Sequence, residues 1–313
     1  MRHRSEFGAA VLMVTACALP AGAQAPKGAA VSQGPGRIVV AELAPCPAAR
    51  RGSMLGSATS SDGRTWPVPA AVNYATAVKA PDVSTDCGRA INEADAPIVE
   101  VDKDGEVITG YLIADNYFEL YVNGKLIAVD ATPFVPFNTA MVRFRAKRPV
   151  TYAVRLVDWE ETPGLGVERT AAGAHHPGDG GFLARFSDGT ITDSTWKAQA
   201  FYIAPLASPA DVVIDGSVRR TPKLARTYPE APDQAACGDA CYALHWPEPK
   251  GWETRGFADA GWPAARRFTP AQMGVNNIPG YAAFLARFGS AEPIWSDNLV
   301  LDNLVLARKT GPK

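Results

Sequence analysis

The sequence predicts an all-β fold, a β-sandwich or jelly roll with few short helices, and three observations point to it. Short apolar stretches recur along most of the chain, and several alternate in polarity. Asn-Gly and Asp-Gly pairs punctuate them and suit tight reversals, because both positions tolerate positive φ. Gly 28 and Pro 26 among 313 residues make about one residue in six a breaker of regular structure, above the ~12% of ordinary globular chains. Long helical bundles are therefore disfavoured. Hydrophobic residues at 47% against charged residues at 20% exclude a wholly disordered chain, since such chains lack the apolar surface to offset their ordering entropy. A net charge of -1 does not supply the basic face by which a dedicated nucleic-acid binder neutralises phosphates.

The elements are read in order. Residues 1–23 have the form of a secretory signal peptide: Arg2, His3 and Arg4, an apolar run from Phe7 to Leu19, then Ala21-Gly22-Ala23 before Gln24. The apolar run is shorter than the ~20 residues that span hydrocarbon. Val14-Thr15-Ala16-Cys17 offers a competing reading as a lipobox with an acylated Cys17. No later apolar run is long enough to cross a membrane, so the expectation is a secreted or periplasmic protein, or one tethered by lipid. Residues 24–36 are small and rich in Ala, Gly and Pro, and read as a flexible linker. Residues 37–213 read as a β-sandwich domain, and 214–313 as a second β-rich segment or a continuation of the same sandwich.

Within the first span, Ile38-Val39-Val40 is a possible strand and Trp66-Pro67-Val68-Pro69 is extended. Ile98–Val101 and Val107-Ile108 flank an Asp-Gly turn. Tyr117–Val122 reverses at Asn123-Gly124 into Lys125–Asp130, the strongest hairpin signal in the chain. Folding there pairs Leu120 with Ile127 and Phe118 with Val129 on one apolar face, with Tyr117, Glu119, Tyr121 and Asp130 on the other. Strands are also expected at Met141–Arg145, at Tyr152–Val157 with Tyr152, Val154 and Leu156 inward, and at Ala200–Ile203. Phe182–Phe186 is expected to reverse through a two-residue Asp188-Gly189 turn. In the last third, strands are expected at Phe284–Phe288 and Leu299–Leu306. Pro270–Gly274 and Ser84–Asn92 are the short helix candidates. Phe-Leu-Ala-Arg-Phe occurs twice, at 182–186 and 284–288, and is read as similar burial need rather than duplication.

Four cysteines follow Cys17. An even number in an oxidising compartment favours disulfides, and of the three possible connectivities Cys46–Cys87 with Cys237–Cys241 is preferred. Zinc is the alternative, but the spacing lacks paired C-x-x-C.

The stretch Ala114-Asp115-Asn116-Tyr117-Phe118-Glu119-Leu120-Tyr121-Val122-Asn123-Gly124 resembles a strand and turn common in galactose-binding-like jelly rolls, including those appended to bacterial rhamnosidases. Trp252, Phe257, Asp259 and Trp262 resemble a second signature of that class, although here it follows the hairpin instead of preceding it. The resemblance implies a secreted module that contacts carbohydrate or packs against carbohydrate-active partners. Such modules stack aromatic rings on sugar faces and hold hydroxyls with carboxylates, amides and Arg.

No H-E-x-x-H, G-x-S-x-G or phosphate-cradling Gly loop is present. The candidate ligand residues are Asp158, Trp159, Glu160, Trp196 and Lys197, because loops carrying both rings and polar groups suit sugars. A carboxylate pair for glycoside hydrolysis would need Asp158 or Glu160 to meet a partner from elsewhere, such as Asp115 or Glu119. His175, His176 and Asp179 form a candidate transition-metal set. Asp102, Asp104 and Glu106 around Gly105, and Asp188 with Asp193, are turn chemistry with calcium as the alternative. Asp297-Asn298 and Asp302-Asn303 are expected to tie loops by hydrogen bonds. The leading functional expectation is a non-catalytic carbohydrate-binding or envelope-associated protein that requires no cofactor. The alternatives are an extracellular glycoside hydrolase, a metal-dependent hydrolase, and a structural matrix protein. Loops at 132–138 and 158–181 and Trp196-Lys197 are expected to share one end of the sandwich.

Overall fold

The computed structural model describes residues 25–39, 56–70, 96–130, 139–169, 175–227, 235–274, 279–282 and 284–313. The signal peptide with Cys17, the pair Cys46 and Cys87, the helix candidate at Ser84–Asn92 and the loop 132–138 lie outside the described residues.

Strands are numbered in chain order. The larger sheet has seven, in the spatial order β1 (Ala30–Gln33), β17 (Tyr242–His245), β14 (Lys197–Leu206), β20 (Asp302–Thr310), β10 (Thr151–Val157), β7 (Tyr117–Val122) and β8 (Lys125–Val129). The second sheet has six: β18 (Arg266–Arg267), β19 (Ile294–Trp295), β13 (Gly181–Phe186), β6 (Glu106–Asp115), β9 (Ala140–Ala146) and β5 (Ile98–Glu100). Smaller pairings join β2 (Arg37–Ile38), β3 (Gly56–Thr59) and β4 (Thr65–Val68), then β11 (Val167–Arg169) with β12 (His175–Pro177), and β15 (Val213–Asp215) with β16 (Val218–Arg220). Pairing is antiparallel except between β5 and β9. The expected all-β sandwich is the fold.

The two sheets meet through aromatic side chains. Tyr152 of β10 stacks on Phe186 of β13 at 4.1 Å between centroids and meets Phe144 of β9 edge-on at 6.2 Å. Tyr152, Val154 and Leu156 all face this core, as alternation predicts. The opposite face of the larger sheet is not solvated. Tyr121 packs edge-to-face on Trp252 at 5.4 Å, and Phe201 lies 5.7 Å from Trp262. Residues 246–262 thus form a cover over that sheet. Beneath it, buried Arg308 reaches the Asp259 carboxylate at 2.8 Å and donates to the carbonyls of Trp252 and Thr254. The segment singled out by its Trp, Phe and Asp residues is therefore a cover clamped by an arginine from β20.

Several expectations need correction. Residues 30–33 are not tether: they form edge strand β1 against β17, with Ala30 and Val31 buried. Backbone pairing needs little from the side chains there, so a small-residue composition does not exclude a strand. The Asn123-Gly124 turn has positive φ at both positions, 53° and 88°, as a type I′ turn requires. The register slips at a bulge just beyond it: Tyr121 opposes Leu126, but Leu120 opposes Ala128 and Glu119 opposes Val129. One extra residue on β8 defeats simple counting from the turn. The Asp188-Gly189 reversal is three residues long, closed by Phe186 N donating to Thr190 O, and its return makes a single bridge, Arg185 to Ile191. Pro270–Gly274 forms turns without a helix. Leu285–Phe288 is a helical turn rather than a strand, and the final strand starts at Asp302 instead of Leu299.

Residues 214–313 continue the same sandwich. They supply β17 and the central β20 to one sheet, and β18 and β19 to the other. Cys237 and Cys241 are bonded, with Cα atoms 5.0 Å apart. Cys241 packs with Leu165 and Val167 in a small apolar cluster.

Candidate functional site

At one end of the sandwich the chain passes from the six-stranded sheet to the seven-stranded one through Asn116 alone, between β6 and β7. Asn116 N donates to Val157 O at 2.8 Å, and Asn116 Oδ1 accepts from Trp159 N at 2.6 Å. This side chain holds the end of β10 against the crossover. Asp115 closes β6 and Asp158 follows β10, so two carboxyls from different sheets arrive at one corner. Glu168 comes in on β11, and Asp179 just before β13, where Gly181 pairs with Asp115. A Cβ on Gly178 would stand 2.6 Å from Asp158 Oδ2; only glycine lets the backbone pass so close to this carboxyl.

Asp115 and Asp158 are 3% and 2% exposed, and Glu168 and Asp179 are partly exposed. Asp115 and Asp158 form the floor, and Glu168 and Asp179 the rim. Burial, then the neighbouring Asp179, Asp158 and Glu168, hold the Asp115 carboxyl well above the usual carboxylate range. Asp158 is raised likewise by burial, Glu168, Asp179 and Glu160. Burial pushes Asp179 up to about 7, and burial with Asp179 and Glu161 pushes Glu168 up to about 8. Like charges at close range in a weakly polar setting disfavour ionisation of them all. No ion pair among the described residues reaches Asp115, Asp158, Glu168 or Asp179. Nearby Arg155 is committed to Glu119 at 3.6 Å and Glu248 at 2.9 Å. Such carboxyls either keep protons, and then donate as well as accept, or need positive charge brought from outside.

The expected ligand residues divide. Asp158 sits in the cluster. Glu160 is buried beside it, raised to about 7 by burial against the opposing pull of the Tyr202 hydroxyl and the Gly166 and Gly164 amides; it braces the following loop. Trp159 is 3% exposed and stacks on Tyr117 at 5.9 Å, so its ring faces protein. Trp196 is not a sugar platform but core: it is fully buried against Phe182 at 5.7 Å, with Nε1 donating to Ile191 O. Lys197 opens β14 opposite Arg308, while Asp158 N donates to Asn303 O. Five residues of β20 separate those points, roughly 17 Å. Trp196 and Lys197 are therefore at the other end, contrary to the expected convergence; Lys197 donates to Trp262 O.

Of the metal set, His176 Nδ1 lies 2.8 Å from Pro177 O, and the His175 side chain is outside the described residues. No three His, Cys, Asp or Glu side chains among the described residues already stand around one point as metal ligands do. The Asp102 carboxylate accepts from Lys147 N at 2.9 Å and Asn123 Nδ2 at 3.2 Å, while Asp104 and Glu106 pair with Lys147 and Arg148. Asp188 accepts from Tyr152 and Thr190 N, and Asp193 from Thr195 N. The Asp302 carboxylate takes hydrogen bonds from Ser296 and Asn298 N, and Asn298 reaches Thr221 and Ala225; these residues tie loops, as expected.

Of the two partners the sequence offers for a strand-end carboxylate, Asp115 shares the corner with Asp158, whereas Glu119 is engaged by the Tyr121 hydroxyl and Arg155. Glu168 was missed: its only signal is a carboxylate inside a short β-pair flanked by Gly-rich loops. No helix among the described residues is long and apolar enough to cross a membrane. No family model matches the chain, and neither a curated protein nor a solved structure shows similarity to it.

Proposed function

We propose that this is a secreted or periplasmic carbohydrate-binding protein that takes sugar hydroxyls at the carboxyl-lined end of its sandwich. The convergence of Asp115, Asp158, Glu168 and Asp179 there, with two rim members reachable from solvent, is the observation that supports this reading. Sugar hydroxyls donate and accept, and carboxyls that retain protons match both roles. The recognition is polar, since the nearby Trp159 and Tyr117 rings are occupied with each other. Loops at a sandwich end carry such sites while the sheets hold them rigid.

A glycan array followed by calorimetry on the mature chain tests the proposal. Binding is expected, weakened at least tenfold by Asp179→Asn and unchanged by Lys197→Ala, which alters the opposite end. No glycan bound by the folded wild type, or equal loss from both variants, overturns it. Turnover of aryl glycosides that Asp158→Asn abolishes would replace binding by hydrolysis, with Asp115 and Asp158 as the carboxyl pair.

A further inference from the structure

We propose that the sugar taken at the carboxyl-lined end carries a free amine, so that the ligand class is a basic amino sugar whose ammonium lies against Asp179 and Glu168. This names the ligand of the carbohydrate reading and rests on that reading. The charges of the corner support the choice. Asp115, Asp158, Glu168 and Asp179 are joined by Glu161, whose N donates to Val167 O beside Glu168. None of the five meets a cationic side chain among the described residues. Asp115 and Asp158 are buried, and Asp115 Oδ1, Asp158 Oδ1 and Glu161 Oε2 are enclosed without a hydrogen-bond partner among those residues. Enclosed oxygens are normally satisfied in folded proteins. The positive charge nearby is spent elsewhere, Arg155 on Glu119 and Glu248, and Arg308 on Asp259. The enclosed oxygens act on a ligand through their charge and not by contact, since Coulomb attraction persists over several ångströms where water is excluded.

Asp179 stands where direct contact is made and needs no rearrangement. Its neighbours fix it: Gly178 has no room for a side chain against the Asp158 carboxyl, nor Gly180 against the Trp295 ring, and Gly180 N donates to Leu299 O at 2.7 Å. A Cβ on Gly274 would stand 3.2 Å from Asp179 Oδ2, and Gly274 is exposed, so that oxygen lies toward the solvent side of the rim. Glu168, the other partly exposed member, comes in on β11 opposite His176 of β12. A metal ion requires several ligands around one point, which the described side chains do not provide. An ammonium makes no such demand, because it is a compact charge with three donors and a single carboxylate oxygen suffices for each. Protons distinguish an amine from a neutral sugar. In the free protein Asp179, pushed up to about 7, and Glu168, pushed up to about 8, keep their protons below neutrality, and a positive charge brought beside them favours the ionised carboxylate. The groups around them are the carboxyls of Asp115, Asp158, Glu160 and Glu161 and the imidazole of His176. An added cation drives protons off all of these, so amino-sugar binding releases protons and neutral-sugar binding does not.

Calorimetry of the mature chain at about pH 6, where a sugar amine is charged, tests this with a glucosamine hexamer and an N-acetylglucosamine hexamer in two buffers of different ionisation enthalpy. The glucosamine hexamer is expected to bind at least tenfold more tightly and with net proton release. Asp179→Asn is expected to remove most of both the preference and the release with its circular dichroism unchanged, and Glu168→Gln does the same should Asp179→Asn fail to fold. Asp104→Asn serves as control: it removes a carboxylate from the turn before β6, about 30 Å along that strand from Asp115, and is expected to keep the preference of wild type. Equal or tighter binding of the N-acetylated hexamer, a preference that survives both rim variants, or binding without proton release overturns the inference and leaves the carbohydrate reading standing. Spermidine bound as tightly as the glucosamine hexamer would mean that charge alone is read, and would overturn both; so would the failure of every glycan to bind.

Discussion

His245 shows how much a single side chain owes to its enclosure. It stacks between Trp66 at 5.4 Å and Tyr202 at 4.9 Å, and Nε2 lies 2.7 Å from Ser32 Oγ. Burial pushes its imidazole down from 6.5 to about 3. The unfolded chain therefore takes up a proton near pH 6.5 that the folded chain refuses until about pH 3, so stability falls as pH drops through that window. The slope is about 1.4 kcal/mol per pH unit. Urea titrations between pH 7 and pH 4 should show this acid sensitivity in wild type and a flatter profile in His245→Phe; equal slopes would mean that His245 is protonated in the fold. Nothing in the sequence marked this histidine, since its setting is made by β4, β14 and β1, far apart in the chain.

The repeated Phe-Leu-Ala-Arg-Phe makes the corresponding point for elements. At 182–186 it is strand β13, with Phe182 and Phe186 buried between the sheets; at 284–288 it is mostly a helical turn with Leu285 50% exposed. Five residues cannot choose between these states, because the free energy that decides lies in the neighbours each copy meets. Phe182→Ala should cost about 3 to 5 kcal/mol by opening a core cavity, whereas Leu285→Ala should stay within about 0.5 kcal/mol. Chemical denaturation of the two variants checks this, and similar losses from both would contradict the assignment of one copy to the core. The hairpin at Asn123-Gly124 behaves differently. Its turn was legible from two residues, because positive φ is a local demand, but its register was not, because the bulge answers to packing on β10 and β8 together.

At the scale of the molecule, the larger sheet is woven from distant parts: β1 at its edge, β20 at its centre, and β7, β10, β14 and β17 between. Its outer face is sealed by residues 246–262, so Ala153 and Glu119 are buried although they point away from the main core. This second buried face explains why clean polar alternation is missing from β10 and β14. Because β20 pairs with both β10 and β14, a chain cut back to residues 37–213, which lacks β20, should not fold. The truncated chain is expected to lack dispersed amide NMR shifts and a cooperative thermal transition; either feature in the fragment would make residues 37–213 an independent domain.

The residue pattern alone was enough for the class of fold, the Asn-Gly reversal and the Cys237–Cys241 closure, and for a common reason: each rests on local conformational cost or short chain separation. It also brought Asp158 forward, because a carboxylate at a strand end needs no tertiary knowledge to be noticed. It took the packed fold to show that Trp196 is core, that Lys197 stands at the opposite end, and that Asp115, Glu168 and Asp179 join Asp158. Those outcomes depend on which strands become neighbours, and strand order is set by the joint burial of two sheets and a covering segment, which no single stretch of residues encodes.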